Sequence, residues 1–494
     1  MPGMQTGIHD LEVLLRSRVP LILVETSDER RALEVFKRLA LRTGQPVMRW
    51  SVTTGLQRID LDLQPQAHAK EPGQALAQIK ATGTAGLYLL LDFHPYLDDP
   101  AHVRMIREIA MGYGDAAHTL VFISHSCTLP AELKSLSARF ELALPDRTAL
   151  EQWIREEAKN WIAGHPGKKV KTDNLTLDHL LKQLGGLTES DARRLIRNAI
   201  HDDGAITESD LPDVLRAKYE LLDQGGALSF ELDTAQFGEV GGLNALKRWL
   251  EQRKRAFLDP DPALDAPKGI LLVGVQGGGK SLAAKAVAGL WHLPLLRLDF
   301  GTLYNKFFGE TERNLRSSLR TAEAMAPCVL WIDEIEKAIA SGDYDSGTSK
   351  RVLGSLLTWL AERDKPVFLV ATANRIDNLP PELIRKGRMD EIFFVDLPDQ
   401  ATRIQIFDIH LRKRGQQVHA FNLVQLAGQS EGFSGAEIEQ AVVAALYLAH
   451  EQNAALDNEH LLAELAQTRP LSVVMAERLR ELRDWARDRT VSAN

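Results

Sequence analysis

The residues best equipped for chemistry are Gly274-Val275-Gln276-Gly277-Gly278-Gly279-Lys280-Ser281 and, further along, Asp333-Glu334. The first stretch matches G-x-x-x-x-G-K-[ST]. Gly274, Gly277, Gly278 and Gly279 let backbone amides turn inward around a phosphate chain, where side chains would collide. Gln276 and Leu282 belong to the same cradle. Lys280 would bridge the β- and γ-phosphates of a nucleotide, and the Ser281 hydroxyl would bind Mg²⁺. Asp333 and Glu334 end the apolar run Cys328–Ile332. Asp333 would hold Mg²⁺ through its water shell, and Glu334 would orient and polarise an attacking water. A glycine-rich turn or a strand ending in Asp-Glu is commonplace alone. Together, in this order, they point to ATP and Mg²⁺ as cofactors and to ATP hydrolysis.

These groups need rigid elements around them. The apolar run Ile270–Val273 precedes the glycine loop, and Leu282–Ala288 after it reads as a helix. That is the strand–loop–helix context which gives the motif its meaning. The first half of the chain shows the same alternation. A helix-like Ile8–Arg16 leads to the buried-strand run Pro20–Thr26 and the amphipathic Glu29–Leu41. Further strands are expected at Pro46–Val52, Leu87–Phe93 and Thr119–Ser124, with a helix and loop within Ala67–Gly86. Strands alternating with helices predict an α/β fold with parallel sheets covered on both faces. At 494 residues the chain holds more than one ordinary core.

The two halves repeat one another. Pro20–Thr26 stands where Gly269–Val275 does, Pro46–Trp50 where Pro294–Leu298 does, and Tyr88–Asp92 where Val329–Asp333 does. Leu129-Pro130-Ala131-Glu132-Leu133 parallels Leu379-Pro380-Pro381-Glu382-Leu383, and Leu144-Pro145-Asp146 parallels Leu397-Pro398-Asp399. The first copy lacks the chemistry. Glu25-Thr26-Ser27-Asp28-Glu29-Arg30 has neither glycine nor lysine, its carboxylates would repel a phosphate, and Phe93 follows Asp92 where a catalytic acid would stand. Residues 1–204 therefore read as a degenerate nucleotide-binding module with its own helical lid. Residues 205–236 read as a connector, with Leu211–Leu222 helical and Gly225-Gly226 as its stop.

Composition bounds the class. Hydrophobic residues are 44% and charged residues 26%, as in globular domains, and the net charge of −8 gives no global pull toward nucleic acid or anionic membranes. No nucleic-acid module or basic-aromatic cluster is visible, so a nucleic-acid partner is not expected. Cys127 and Cys328 offer no disulfide framework or zinc spacing and suit a reducing compartment. Asp10 and Glu12 interrupt any signal-peptide core, and no apolar run approaches the ~20 residues that span a bilayer. A cytoplasmic location is expected, or the plastid stroma for a plastid-encoded chain.

From about Phe237 to Ser472 the chain resembles the AAA+ ATPases, and within them the AAA group proper. The phrases VGGLNALKRWLEQR, GILLVGVQGGGKS, APCVLWIDEIEKA, SGTSKRV and RKGRMDEIFFVDLPD carry the likeness. With its tandem layout, the chain is similar to uncharacterised AAA proteins encoded as a hypothetical reading frame in plastid and cyanobacterial genomes. The resemblance implies tandem P-loop-type modules, with a large ATPase subdomain at 237–398 and a helical lid plus C-terminal helix at 399–494. It places Val240 and Gly241 against the adenine, Asn374 as the polar group that helps place the water, and His410, Gly435 and Ala436 beside the nucleotide from the lid. A helix-surface histidine is the competing reading of His410. Ala436 stands where other AAA+ proteins carry an arginine, and Val275-Gln276 stand where AAA relatives usually have two prolines. Arg385 and Arg388 align with arginines that reach the γ-phosphate of a neighbouring subunit, which implies a homo-oligomeric ring, by analogy a hexamer. Phe307 and Phe308 align with the pore loop that grips a threaded chain, and Ser341–Thr348 reads as a second loop facing the pore. Two functions remain open: a ring that remodels or threads an unidentified protein client, and a nucleotide-gated switch or scaffold whose inactive first half docks a partner.

Overall fold

The structure, a computed structural model, describes all residues except 1, 27, 62–68, 115, 126, 143, 202–203, 223–226, 232–236, 260–262, 306–310, 339–345, 377–378, 380 and 385–387. Phe307, Phe308, Arg385, Gly225, Gly226 and most of the loop Ser341–Thr348 thus lie outside the described residues. The chain forms two compact units, Met1–Val214 and Leu215–Asn494.

In the first unit, β1 (Leu21–Glu25), β2 (Val47–Ser51), β3 (Gly55–Arg58), β4 (Gly86–Leu91), β5 (His118–Ser124) and β6 (Ser137–Arg139) make one sheet in the order β3-β2-β4-β5-β1-β6. Every pair is parallel except β2 with β3. A second, two-stranded sheet pairs β7 (Lys171–Thr172) with β8 (Ala205–Ile206) beside the helices Arg147–Gly164, Asn174–Leu184 and Glu189–His201. Alternation sorts each strand's side chains to opposite faces. Leu21 and Leu23 enter one core, and Ile22 and Val24 the other. β3 was not apparent in the sequence, because Gly55-Leu56-Gln57-Arg58 has no apolar run and is ordered by its antiparallel register on β2.

In the second unit, β9 (Leu228–Glu231), β10 (Gly269–Gly274), β11 (Leu295–Leu298), β12 (Cys328–Ile332), β13 (Val367–Ala373), β14 (Glu391–Val395) and β15 (Val491–Ser492) take the order β15-β14-β10-β13-β12-β11-β9. Only β9 with β11 is antiparallel. Numbered within each unit, the five shared parallel strands lie fifth, first, fourth, third, second in both. The sequence repeat is therefore a repeat of topology: tandem α/β modules. Leu271 and Val273 face a core closed by helices Thr311–Ala324 and Ser346–Glu362, while Ile270 and Leu272 face Asn244–Leu258 and Lys280–Trp291. The lid helices Gln400–Lys413, Leu423–Gln429, Gly435–Glu451 and Asn458–Gln467 share their own core around Phe407, Leu426 and Val442.

Two segments differ from their reading in the sequence. β9 lies within the stretch read as a connector, yet Leu228 pairs with Leu298 and is buried at the sheet edge. The C-terminal helix expected at the end of 399–494 is in two pieces, Leu471–Val474 and Ala476–Ala486, broken at Met475. In the second piece Trp485 abuts the core of the large subdomain, and Arg483 forms a two-pronged pair with Asp396 at 2.9 Å for each prong.

Lys218, on the helix Leu211–Leu222, is 1% exposed. Burial pulls its ammonium down to about 8, opposed by the Cys328 sulfur. Below that value the charge persists in both folded and unfolded chains, and its burial costs stability; the cost is relieved as pH rises from about 8 toward 10.5. Lys218→Met should therefore remove this pH dependence, so that its stability relative to the wild type falls by up to ~3 kcal/mol between pH 7 and pH 10. Urea melts at the two pH values measure this, and a difference from the wild type that is constant with pH contradicts it.

Candidate functional site

The second unit's glycine loop sits at the C-terminal edge of its sheet, where β10 gives way to the helix Lys280–Trp291. Gly274 approaches its neighbour so closely that a Cβ would stand 2.0 Å from the Val395 carbonyl oxygen. Gly277 and Gly279 have φ of 75° and 92°, which side chains other than glycine's tolerate poorly. The loop is held by Val275 N–H donating to Val395 O and by Gly278 N–H donating to Val275 O.

Lys280 is 6% exposed and donates its Nζ to Gly274 O at 3.0 Å and Val275 O at 2.7 Å. Burial lowers its pKa to about 8, with Glu336, Asp333 and Glu334 opposing the shift. Its ammonium is thus held by carbonyls of its own loop, within the field of three carboxylates. Ser281 Oγ lies 3.5 Å from Asp333 Oδ1. Hydroxyl and carboxylate oxygens at this separation are hard donors that suit Mg²⁺.

The carboxylates beyond β12 are fixed by residues that the motifs do not name. Thr372 Oγ1 donates to Asp333 Oδ1 at 2.6 Å and accepts from Glu334 N–H at 3.0 Å. Arg297 lies 3.7 Å from Asp333 Oδ2, with its guanidinium 4.8 Å from the centre of the Trp331 ring. Glu334 has φ of 50°, a conformation that turns its side chain away from the strand direction. One of its oxygens accepts from Asn374 Nδ2 at 2.7 Å, and the other pairs with Lys337. The Lys337 ammonium, then its charge and Asn374, hold the Glu334 carboxyl below the ordinary range against the opposing pull of burial. Asn374 is itself held by its N–H on Glu336 Oε1 at 2.9 Å.

Lys280, Ser281, Asp333, Glu334 and Asn374 line one cleft of about 480 Å³, together with Val240, Gly241, Gln276, Gly277, Gly278, Gly279, Leu282, His410, Gly435 and Ala436. Of the residues singled out in the sequence, Gly274 borders an adjoining groove of about 420 Å³ shared with Gln276, Glu334 and Asn374. Arg388 is not among the lining residues of either cavity, and its Nη1 donates to the Glu382 carbonyl at 2.8 Å. His410 Nδ1 lies 3.5 Å from Glu439, and burial depresses its pKa although Glu439 pulls the other way. The lid reaches the loop through Ala436 N–H on Gly277 O at 3.3 Å. A capping box between Ser434 and Glu437 starts that lid helix. Thr372, Glu336, Lys337, Asp396, Glu439 and Asn494 are the site residues that motif spacing did not reveal. Only Thr372 carries a signal, as an unmatched polar residue within the apolar run of β13.

The first unit treats the same place differently. After β1, Asp28 Oδ1 accepts from Arg31 N–H at 3.2 Å, at the start of the helix Glu29–Thr43. Its Oδ2 accepts from Glu189 N–H at 3.2 Å, at the start of the lid helix Glu189–His201. A side-chain carboxylate, 7% exposed, thus joins the two helix starts that a backbone contact joins in the second unit. Arg193 secures the closure by pairing with Glu156, Glu157 and Glu189.

Comparison with known proteins agrees with both units. Residues 270–397 match the ATPase family associated with various cellular activities (AAA), 8–142 the SpoVK-like AAA ATPase N-terminal domain, and 148–225 the SpoVK-like AAA ATPase second domain. The chain belongs to the AAA ATPases. Over 97% of its length it is 37% identical to the uncharacterized AAA domain-containing protein ycf46 of Guillardia theta, covering 94% of that protein. It is 35% identical to the ycf46 protein of Pyropia yezoensis, with 97% of each chain covered. The proteasome-activating nucleotidase of Aeropyrum pernix is 38% identical over 48% of this chain and 61% of its own.

Removing the Asp28 carboxylate should leave two helix starts uncapped, at a cost of about 1–3 kcal/mol. Asp28→Ala should therefore speed amide exchange at Arg31 and Glu189 by roughly tenfold or more, while Asp28→Asn, which keeps one acceptor oxygen, loses less. Unchanged protection at Glu189 would contradict the bridging role.

Proposed function

We propose that the second unit binds ATP with Mg²⁺ and hydrolyses it, that copies of the chain assemble into a ring, a hexamer, and that the ring remodels or threads a protein client. The observation that supports this most is the single cleft holding the glycine loop, Asp333, Glu334, Asn374 and the lid residues together. Bound ATP would supply the phosphoanhydride bond, and Mg²⁺ would neutralise charge on its β- and γ-oxygens. Lys280 exchanges its loop carbonyls for phosphate oxygens, which also relieves the burial of its charge. Ser281 and Asp333 hold the cation. Glu334, kept in place through Asn374, orients the attacking water and accepts its proton. Val240, Gly241 and His410 take the base and ribose side of the cleft, with Gly435 and Ala436 closing from the lid.

Arg388 and Arg385 supply cationic charge to a neighbour's site, where a planar guanidinium suits a transition state whose charge is spread over phosphate oxygens. Phe307 and Phe308 serve as the gripping pair, since aromatic faces hold many sequences by shape and dispersion. No helix among the described residues is long and apolar enough to cross a membrane, and we place the protein in the cytoplasm, or in the plastid stroma where a plastid genome encodes it.

A second reading, the nucleotide-gated switch, draws support from Asp28. A unit closed by its own carboxylate has nothing to exchange for a nucleotide and serves as a fixed docking platform.

One set of variants tests hydrolysis and the shared site together. Lys280→Ala should abolish ATP turnover, and Glu334→Gln should retain ATP unhydrolysed. Arg388→Ala should bind nucleotide yet turn over at least ~100-fold more slowly, by analogy with the loss of an arginine finger. Mixing Arg388→Ala with Lys280→Ala chains should restore part of the rate, because the two defects then segregate to different sites. Full-rate hydrolysis by Lys280→Ala, or a rate per chain independent of concentration in a monomeric wild type, overturns the proposal.

A further inference from the structure

The helix Asn244–Leu258 begins without a cap of its own. Its N-cap residue, Leu243, has φ of 58° and an apolar side chain, so it offers no oxygen to the first turn. Helix starts leave N–H groups unmatched, and these need acceptors. The acceptors come from the other end of the sequence. Ala493 O accepts from Ala245 N–H and Leu246 N–H, each at 3.1 Å, and Asn494 Oδ1 accepts from Leu243 N–H.

The same residues are tied to the sheet. β15 pairs parallel with β14, and Ala493 N–H donates to Phe394 O at 3.0 Å. Ala493 is 1% exposed. The tail also fixes the segment that precedes the helix. A Cβ on Gly242 would stand 2.6 Å from Asn494 Oδ1, so the glycine admits the asparagine. Gly242 N–H is held by Gln405 Oε1 at 2.9 Å, and a Cβ on Gly241 would stand 2.8 Å from Ile406. The turn Gly241–Leu243 is therefore clamped between the lid helix Gln400–Lys413, which meets Gly241 and Gly242, and the tail, which meets Gly242 and Leu243. Ser492, Ala493 and Asn494 themselves line the cleft, as do Val240 and Gly241.

We propose that residues 491–494 are part of the nucleotide-binding site: they hold the Val240–Gly242 linker in place and complete the wall that meets the base and ribose of an adenine nucleotide. This rests on the reading of the cleft as an ATP site. Asn494 acts as a positioning residue, its side chain fixing the linker through Leu243, and Ala493 acts through its main chain. Because three strands separate β15 from β12, whose end carries Asp333 and Glu334, loss of the tail should weaken nucleotide binding more than it slows the chemical step.

The test compares the full chain, Asn494→Ala and a variant lacking 491–494. Binding of a fluorescent ADP analogue, steady-state ATP turnover and amide exchange at Leu243, Ala245 and Leu246 are measured for each. The expected result is a Kd for ADP roughly tenfold higher without the tail and severalfold higher in Asn494→Ala, a rise in KM exceeding any fall in kcat, and faster exchange at Leu243. If the truncated chain fails to fold, Asn494→Ala alone carries the comparison, since it removes one acceptor and leaves β15 intact. Wild-type affinity in Asn494→Ala with Leu243 exchange accelerated overturns the proposal, leaving the tail a helix cap only. Loss of kcat at unchanged Kd overturns it also. A wild-type chain that binds no ADP overturns the ATP-site reading itself, a result distinguishable from failure of the tail alone.

Discussion

Everything assembled in the second unit follows from strands that run the same way. A parallel strand ends where its neighbours end, so the loops after β10, β12 and β13 emerge side by side on one edge. The glycine loop, the Asp333-Glu334 pair and Asn374 are separated along the chain by tens of residues, yet that edge leaves them no other place to be. Thr372, near the end of β13, then joins that strand to the loop after β12, donating to one carboxylate residue and accepting from the next. Polar contacts in such a half-buried setting cost little reorganisation when a substrate arrives.

The first unit obeys the same geometry with different chemistry. Its five parallel strands share the order of the second, and the loop after β1 again meets the start of a lid helix. There the charge complement of two helix N-termini is an aspartate built into the chain, and macrodipole and capping both favour that anion. A site of this kind is satisfied without a ligand. The two units thus show one topology joining its helix starts through a backbone contact in one case and a side-chain carboxylate in the other.

How much could be read from residues alone depended on sequence distance. The glycine loop, the Asp333-Glu334 strand and the repeat between the halves were legible because each is a local pattern whose meaning needs only a few neighbours. The alternation of apolar runs was enough for tandem parallel sheets. β3, β9 and β15 were not legible, since Gln57, Ser229 and Ser492 interrupt any apolar signal and the strands exist only by pairing with partners. Lys337 looks like a surface lysine, and only the left-handed turn at Glu334 brings the two together. Asn494 meets Leu243 across 251 positions, which no spacing rule could anticipate.

The edges of the second sheet have a further consequence. The long, fully buried parallel strands never form its border: β9 closes one side and the two-residue β15 the other. β9 carries Glu231, paired with Lys285 at 3.4 Å, and β15 offers only a stub of exposed backbone. Short or charged borders make poor templates for a foreign strand. A protein that holds apolar strands such as Ile270–Val273 and Val367–Ala373 is thereby protected from edge-to-edge aggregation, the hazard to which large open sheets are most prone.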